Sequence, residues 1–379
     1  MKKTAVASFN IVSALGSGAD VNFDQMLKGI SGVREHHLPN IDAQPIWVSM
    51  VTETQLGLPL PESYSHYEKL LIASIKGARD NSSLNLSGDD TLFVVSTTKG
   101  SIALLESEVM TPELMEKLSL FHSASIVAKY FGNNNQPVVI SNACISGVVA
   151  LLYAKRVLDS GQFKNVVVAG ADTISKFVYS GFQSFQALSP GPCHPFSEAR
   201  DGINLGEAGA TIILTLSDEL LPEKEHIYIE AGSISNDANH ISGPSRTGEE
   251  LSAVINKAIN SSGLTAADID FISAHGTATP YNDEMEARAF HLSGLQTTPV
   301  NSLKGYFGHT LGAAGLVESA VCMMSLLKGV AVASKGYQGP GVTPELNVIE
   351  NPLYKPMKNC LKTASGFGGC NAAIVFSKN

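Results

Sequence analysis

Residues 136–147, Gln-Pro-Val-Val-Ile-Ser-Asn-Ala-Cys-Ile-Ser-Gly, decide the fold, because they carry a short apolar strand directly into a helix. The pattern predicts a buried strand from Gln136 to Ile140, a helix from Val148 to Leu158 and a further strand from Asn165 to Ala169. Cys144 therefore lies in a tight turn at a helix N-terminus, where the positive end of the helix dipole favours a thiolate over a thiol. A small buried apolar residue is the alternative for a cysteine taken alone.

Two histidines occupy similar turns in the second half of the chain. His275 follows a strand predicted from Ile269, and His309 lies in a glycine-rich loop that leads into a helix predicted from Thr310 to Lys328. Such a histidine is more often structural than catalytic when it stands alone. One cysteine and two histidines in such turns point instead to a shared catalytic centre, because catalytic groups in α/β folds gather at the carboxyl ends of strands.

The length and composition of the chain limit the classes of function. Its 379 residues suit two packed units, and 44% hydrophobic with 16% charged residues indicates a compact globular protein. The net charge of −9 argues against nucleic acid as a partner. Five cysteines without paired or zinc-type spacing predict free thiols in a cytoplasmic protein, and we expect neither a metal nor a cofactor. We expect no membrane association, because no uninterrupted apolar run reaches the roughly 18 residues of a membrane span.

Strands and helices alternate along the whole chain, which predicts α/β layers with largely parallel central strands. The polar stretch from Ser217 to Glu225 is the predicted linker. It divides the chain into an N-terminal half, residues 1–220, with Cys144, and a C-terminal half, residues 221–379, with both histidines.

The two halves echo each other in sequence. The helix after Cys144 leads through Gly161 to a strand, and the helix after His309 leads through Gly329 to a strand predicted from Val330 to Ser334. Two similar halves, each delivering one helix N-terminus to a common centre, would bring these side chains together.

Several longer motifs, in the same order, resemble those of the β-ketoacyl-[acyl-carrier-protein] synthases, the elongation-type condensing enzymes of fatty-acid and polyketide synthesis. The resemblance covers nearly the whole chain. It implies a thiolase-like α/β fold, two similar βαβαβαββ halves packed as five layers, usually in a homodimer, with a heterodimer with a related subunit as the alternative. The matching segments are Phe9 to Gly16, Leu27 to Val33, Pro195 to Gly202, Gly206 to Gly209, His275 to Thr277, Gly308 to Gly315 and Gly366 to Asn371.

The resemblance also implies the reaction, a decarboxylative Claisen condensation with malonyl-acyl carrier protein. Cys144 is the implied acyl-accepting nucleophile. His275 and His309 are the implied pair that stabilises the enolate left by the loss of CO₂, and we expect both to be neutral. For His309, the helix N-terminus disfavours a protonated imidazole. Lys304 and Glu318 are expected to form a buried pair that positions His309.

The loop from Gly366 to Gly368 is implied to complete the anion hole. The backbone N–H groups of Cys144 and Phe367 are the expected donors to the thioester oxygen, because the glycines let the backbone approach closely. Phe367 is also expected to act as a gate between the acyl pocket and the entrance.

The loop after His275 is implied to meet the phosphopantetheine arm of the acyl carrier protein. Thr277 and Thr279 are expected to hydrogen-bond this arm, with strand-end capping as their alternative role. Asp283 and Glu286 are expected to be structural and to fix the loop.

Two departures from the family favour a specialised pathway over housekeeping fatty-acid elongation. The turn from Val95 to Gly100 stands where many relatives have a glycine-rich turn. The segment that docks the acidic carrier protein is poor in basic residues, with Lys69 beside Glu68 and only Lys76 and Arg79 further on. The length of the acyl chain is not encoded in any motif spacing.

Two other functions remain open. A coenzyme A-dependent thiolase uses a second cysteine, for which Cys370 is the candidate, but the two histidines and Lys304 favour the decarboxylating type. A non-catalytic chain-length-factor subunit usually lacks the nucleophile, which is present here as Cys144.

Overall fold

A computed structural model of the chain describes residues 3–221, 225–237 and 243–379, so residues 222–224 of the predicted linker lie outside the described residues. The strands are β1 (Ala5–Ser13), β2 (Gly16–Ser17), β3 (Val33–His36), β4 (Ile46–Ser49), β5 (Thr91–Ser96), β6 (Val138–Ile140), β7 (Asn165–Asp172), β8 (Leu205–Gly206), β9 (Ala208–Thr215), β10 (Ile227–Asn236), β11 (Phe271–Ser273), β12 (Val300–Asn301), β13 (Val330–Ala331), β14 (Leu353–Tyr354), β15 (Asn359–Gly366) and β16 (Cys370–Lys378). The helices are α1 (Ala19–Leu27), α2 (Glu53–Leu56), α3 (His66–Asp80), α4 (Pro112–Lys117), α5 (Leu120–Tyr130), α6 (Ser146–Asp159), α7 (Lys176–Ser184), α8 (Glu249–Ser261), α9 (Pro280–Leu292), α10 (Lys304–Phe307) and α11 (Ala314–Lys328).

The main sheet consists of two halves with the same strand order. The order is β6-β5-β7-β9-β1 in the N-terminal half and β12-β11-β15-β16-β10 in the C-terminal half. In each half the first two pairs are parallel and the last two are antiparallel. An antiparallel pair between Ala5 and Tyr228 joins β1 to β10. The prediction of a thiolase-like fold with two similar βαβαβαββ halves is confirmed, although each half is mixed rather than largely parallel.

Helices form three layers around the two half-sheets. α3 packs on β1, β7 and β9, and α8 packs on β10 and β16. α6 and α11 contact each other and strands of both halves, so they form the central layer. This gives the five predicted layers. β5, β7 and β9 are buried along their whole length, because helices cover both faces of this half-sheet.

The predicted correspondence between the two halves was wrong for one strand. The strand predicted from Val330 to Ser334 is only β13, which pairs with β14 outside the main sheet. The strand that corresponds to β7 is β15, which the sequence analysis did not predict. A lysine, Lys362, interrupts the apolar pattern of β15, and it is fully buried.

The two central helices touch near their N-termini through glycines. A Cβ atom added to Gly147 in α6 would lie 2.7 Å from the backbone N of Leu316 and 3.0 Å from Cα of Gly315 in α11. Cys144 precedes one of these glycines and His309 precedes the other. Their contact therefore sets how closely the two side chains approach each other.

Gly147→Ala is expected to destabilise the protein by about 1–3 kcal/mol, because the added methyl group overpacks the contact between the central helices. A thermal unfolding scan should show a Tm several degrees lower. Gly181→Ala is the matched control, since an added Cβ on this helical glycine of α7 meets no atom within 4 Å. Equal Tm values for the two variants would contradict this account of the helix contact.

One helical segment, Leu311–Lys328, is long and apolar enough to cross a membrane by length and composition. The sequence analysis did not identify this segment, because serines, Glu318 and Lys328 interrupt its apolar residues. In the fold, 89% of it is buried inside the protein, where it forms the central helix α11 and the turn before it.

Candidate active site

Cys144 lies in the predicted turn between β6 and α6. Ala143 adopts a left-handed backbone conformation, with φ of 44°, which few non-glycine residues adopt without strain. The Ser146 hydroxyl donates to the carbonyl of Ala143 at 2.6 Å and accepts from the N–H of Asn142 at 2.7 Å, which fixes the turn. Cys144 is therefore held on a rigid corner directly before a helix.

The structure brings both histidines to Cys144. His275 follows β11, and His309 lies between α10 and the short 3₁₀ turn Leu311–Ala313 that leads into α11. Nε2 of His309 lies 3.0 Å from Sγ of Cys144, and the two imidazole centroids are 5.3 Å apart at an angle of 84°. All three side chains are buried. The two halves of the chain thus contribute to one centre.

Both imidazoles are held neutral. Burial, followed by the positive charge of Lys304, places the pKa of His275 and of His309 well below the usual range. The expected protonation state is therefore found, but its main cause is burial rather than the end of a helix. A neutral imidazole is able to donate one N–H to a carbonyl oxygen and to accept a proton at its other nitrogen.

The expected thiolate of Cys144 is not the resting form. Burial, followed by the nearby thiol of Cys370, raises the pKa of Cys144 to about 12. Lys304 and the backbone N–H of Phe367 act in the opposite direction without outweighing burial. The prediction from the helix dipole was wrong because it left out the desolvation of the sulfur. Attack by the sulfur thus requires a proton acceptor, and Nε2 of His309 is in hydrogen-bond contact with it.

Lys304 and Glu318 form the predicted buried ion pair, through Nζ and Oε1. The second carboxylate oxygen of Glu318 lies 2.9 Å from Nζ of Lys362. Lys362 was not predicted from the sequence as a partner of this ion pair. The available signal was a lysine placed among small and apolar residues immediately before the loop that begins at Gly366.

Two buried carboxylates shape the loop after His275. Glu286 accepts the backbone N–H of His275 at 2.8 Å and that of Gly276 at 2.6 Å. Asp283 accepts the N–H of Thr277 at 3.0 Å. Burial raises the pKa of Asp283 to about 7 and also raises that of Glu286. These contacts agree with the structural role expected for both residues.

A cavity of about 310 Å³ leads to Cys144. Thr277 and Thr279 line it, with their hydroxyl oxygens 2.8 Å apart. Gly366 and Phe367 line it as well. Gly368 occupies the turn between β15 and β16, with φ of 85°.

The loop from Gly366 to Phe367 lies directly beside the nucleophile. A Cβ atom added to Gly366 would be 3.0 Å from the backbone N of Cys144, so only glycine fits without displacement. The backbone N–H of Phe367 favours the ionised form of the Cys144 thiol and so lowers its pKa, although burial outweighs this effect. Cys144 and Phe367, whose N–H groups are expected to form the anion hole, both line the cavity.

Two aromatic residues of α7 and the segment after it were not predicted. Phe182 packs on Phe367 with ring centroids 5.4 Å apart and on His309 at 6.2 Å, and Phe185 packs on Phe367 at 5.2 Å. Both line the cavity. These aromatic rings therefore form part of the cavity wall beside Phe367 and His309.

Asp172, whose role was also not predicted, connects the turn from Val95 to Gly100 with the loop that carries His309. The Asp172 carboxylate accepts the Thr97 hydroxyl at 2.8 Å and the backbone N–H groups of Thr98 at 3.0 Å and Gly312 at 2.7 Å. Burial raises its pKa to about 6. Asp172 thus links the two halves of the chain beside the site.

The basic residues of α3 are already paired. Lys69 is buried, with Nζ 3.2 Å from Glu53 and 3.4 Å from Glu62. Lys76 and Arg79 both contact Asp80, at 2.7 and 2.8 Å. Little of the positive charge of α3 is therefore without a carboxylate partner.

Cys144, His275 and His309 also have the donor spacing of a metal site, since one donor atom of each lies within 4.8 Å of the others. The ammonium charges of Lys304 and Lys362, which lower the pKa values of the histidines, oppose a cation there. The expectation of a metal-free site stays a prediction.

Comparisons with known proteins agree on one family. The N-terminal domain of the β-ketoacyl synthases matches residues 85–219, and the C-terminal domain matches residues 226–338. The tetracenomycin polyketide synthase ketoacyl synthase alpha subunit of Streptomyces glaucescens is 29% identical over 304 residues, 77% of this chain and 71% of that protein. The 3-oxoacyl-[acyl-carrier-protein] synthase 2 of Staphylococcus aureus is 23% identical, covering 100% of this chain and 98% of that protein. The structure of the ishigamide ketosynthase/chain length factor has a TM-score of 0.90 at 24% identity, covering 99% of both chains.

Proposed function

Because the chain belongs to the β-ketoacyl synthase family, we propose that it joins an acyl group held on Cys144 to malonyl-acyl carrier protein. The products are β-ketoacyl-acyl carrier protein and CO₂, in fatty-acid or polyketide-type synthesis. The observation that carries this proposal is the distance of 3.0 Å between Sγ of Cys144 and Nε2 of His309, with a second neutral imidazole beside them.

In the first step, the acyl group moves to the enzyme. The thiol proton of Cys144 passes to Nε2 of His309 as the sulfur attacks the thioester carbon. The bond from this carbon to the carrier sulfur then breaks, and the carrier leaves as a thiol with the same proton. The N–H groups of Cys144 and Phe367 stabilise the tetrahedral oxyanion, each contributing about 3 kcal/mol.

In the second step, the bond between the malonyl α-carbon and its carboxylate breaks and CO₂ leaves. The electron pair forms an enolate, whose oxygen accepts N–H bonds from His275 and His309. The enolate carbon attacks the acyl carbon, the bond from this carbon to the Cys144 sulfur breaks, and the resulting thiolate takes from solvent the one proton that the condensation consumes. Nδ1 of both histidines is buried without a hydrogen-bond partner among the described residues. Nε2 of His309 accepts a proton in the first step and donates an N–H bond in the second.

The remaining site residues serve binding and positioning. Lys304, through its buried pair with Glu318, supports the loop that carries His309. Thr277 and Thr279 line the cavity along which a phosphopantetheine arm would reach Cys144, and their hydroxyl groups provide donors for its amides.

The proposed partners are an acyl carrier protein and a second subunit. The paired basic residues of α3 support a carrier protein specific to one pathway, because little free positive charge remains on this helix for a general acidic partner. A dimer is supported by exposed apolar side chains before α5, including Val109, which is 85% exposed. The partner is a second copy of this chain or a related subunit, as in the similar ketosynthase/chain length factor structure.

The function is tested with purified protein, an acyl primer and malonyl groups on housekeeping and pathway-specific carrier proteins. We expect β-ketoacyl-carrier product and CO₂ in equal amounts, and faster turnover with the pathway-specific carrier. Equal or faster turnover with the housekeeping carrier and saturated medium-length primers would overturn the specialised pathway while leaving condensation intact. The absence of product with every carrier would overturn the condensing function.

Cys370→Ala is expected to retain condensation within a few-fold of the unmodified protein, which distinguishes a condensing enzyme from a thiolase. Sγ of Cys370 contacts only the backbone carbonyls of Phe367, at 3.4 Å, and Asn142, at 4.0 Å, among its described hydrogen-bond partners. A thiolase would lose its proton-transferring acid in this variant. Loss of activity by several orders of magnitude, together with cleavage of a β-ketoacyl-coenzyme A by the unmodified protein, would favour the thiolase.

A further inference from the structure

Lys362 is a buried charge that the proposed steps do not use. It lies in the middle of β15, and its side chain is 0% exposed. Nζ donates to the carbonyls of Ser273 at 3.2 Å and Ala274 at 3.1 Å, and it contacts the carbonyl of Thr363. Together with Glu318, at 2.9 Å, these groups surround the ammonium with oxygen. A buried lysine with so many partners is a specific part of the architecture, because an unpaired one would be strongly unfavourable.

The partners of Lys362 connect it to both histidines. Ala274 and Ser273 are the two residues directly before His275. Glu318 binds Lys362 through one oxygen and Lys304 through the other, and Lys304 precedes His309 by five residues. A single carboxylate, shared by two buried lysines, therefore links the segments that deliver the two imidazoles to Cys144.

We propose that Lys362 is a positioning residue of this site, which fixes Glu318 and the backbone before His275 and keeps both imidazoles in their neutral, working arrangement. The contacts of Lys362 are observed in the structure, whereas its effect on turnover rests on the proposed condensing function.

The charge of Lys362 adds an electrostatic effect to the geometric one. It lowers the pKa of both His275 and His309, after the larger effects of burial and Lys304. Removal of Lys362 would raise both pKa values, so a larger fraction of each imidazole would be protonated at low pH. A protonated His309 cannot accept the thiol proton, so the rate of acyl transfer would fall first at low pH. The other titratable and charged groups around the pair are Cys144, Asp172, Asp283, Glu286, Lys304, Glu318 and Cys370.

Lys362→Met tests the proposal with two measurements. The first is an NMR titration of ¹³C-labelled histidines, in which His275 and His309 are assigned with single His→Gln variants. We expect the titration of both to move to higher pH. The second is the pH dependence of acyl transfer to Cys144, in which the loss of rate at low pH should begin at a higher pH, by the same amount as the titration of His309 moves.

Three further variants separate charge from structure. Lys358→Met removes an exposed lysine just before β15 and should change neither measurement. Lys362→Arg keeps the charge and should restore most of the native pH dependence. Lys362→Met combined with Glu318→Gln removes one charge of each sign and should return the histidine titration toward the native one, while acyl transfer stays slow because positioning is lost.

The outcomes distinguish this proposal from the proposed function. The role of Lys362 would be overturned if the Lys362→Met protein folds, its histidines titrate as in the unmodified protein, and its rate of acyl transfer depends on low pH as in the unmodified protein. If Lys362→Met does not fold, Lys362→Arg and Lys362→Gln are compared instead, and equal titrations in these two variants would overturn the role. If the unmodified protein transfers no acyl group, the condensing function fails, while the NMR titration still tests Lys362.

Discussion

Cys144→Ala is expected to abolish condensation, with a loss of roughly four orders of magnitude or more, because the sulfur is the group that holds the acyl chain. Part of the malonyl decarboxylation should remain, since His275 and His309 are left in place. The measurement is the release of CO₂ from labelled malonyl-acyl carrier protein beside the formation of β-ketoacyl product.

The control for this variant is Cys193→Ala, which removes another fully buried thiol. It should keep both activities, apart from a loss of thermal stability from the cavity it leaves. Condensation by Cys144→Ala at a rate near that of the unmodified protein would remove the basis for covalent catalysis at this site.

His275→Ala and His309→Ala are each expected to lower malonyl decarboxylation by about 10²- to 10⁴-fold, because each removes one N–H donor to the enolate oxygen. The two variants should differ in acyl transfer. His309→Ala should slow it strongly, since Nε2 of His309 is the partner of the Cys144 sulfur at 3.0 Å, whereas His275→Ala should slow it less.

His291→Ala is the matched control for the histidine pair, because this half-buried residue at the end of α9 contacts only the carbonyl of Glu345 among its described hydrogen-bond partners. It should leave decarboxylation unchanged. Release of CO₂ at native rates by both active-site variants would show that the enolate is stabilised by other groups.

The local motifs were sufficient to predict the three central residues and their turns. Cys144, His275 and His309 each follow or precede an element with a clear apolar pattern, so their places at the ends of elements follow from short-range sequence. Their convergence depends on the similarity of the two halves, which the matching strand orders bear out.

The protonation state of Cys144 could not be predicted in the same way. A helix N-terminus is visible in sequence, whereas the degree of desolvation depends on how loops from both halves close over the sulfur. Phe182 and the segment from Gly366 to Phe367 form part of this cover. Burial is the largest effect on the pKa of Cys144, and it raises that pKa.

The pairing of buried charged residues with partners from distant segments could not be predicted from the sequence either. Lys362 and Asp172 are charged residues within strands, and a charged residue in a strand is usually exposed. Each is buried because its partners come from distant segments, Glu318 for Lys362 and Gly312 for Asp172. Because Lys362 interrupts the apolar pattern of β15, neither this strand nor the role proposed for Lys362 was predicted from the sequence.

The most direct test of the central claim is the position of the acyl group after incubation of the protein with an acyl-carrier thioester. Proteolysis and mass spectrometry should find one acyl group, in thioester linkage, on the peptide that contains Cys144. Hydroxylamine should release it, and the Cys144→Ala protein should remain unlabelled. An acyl group on Cys370 or Cys193, with the Cys144 peptide unmodified, would contradict the assignment of Cys144 as the nucleophile.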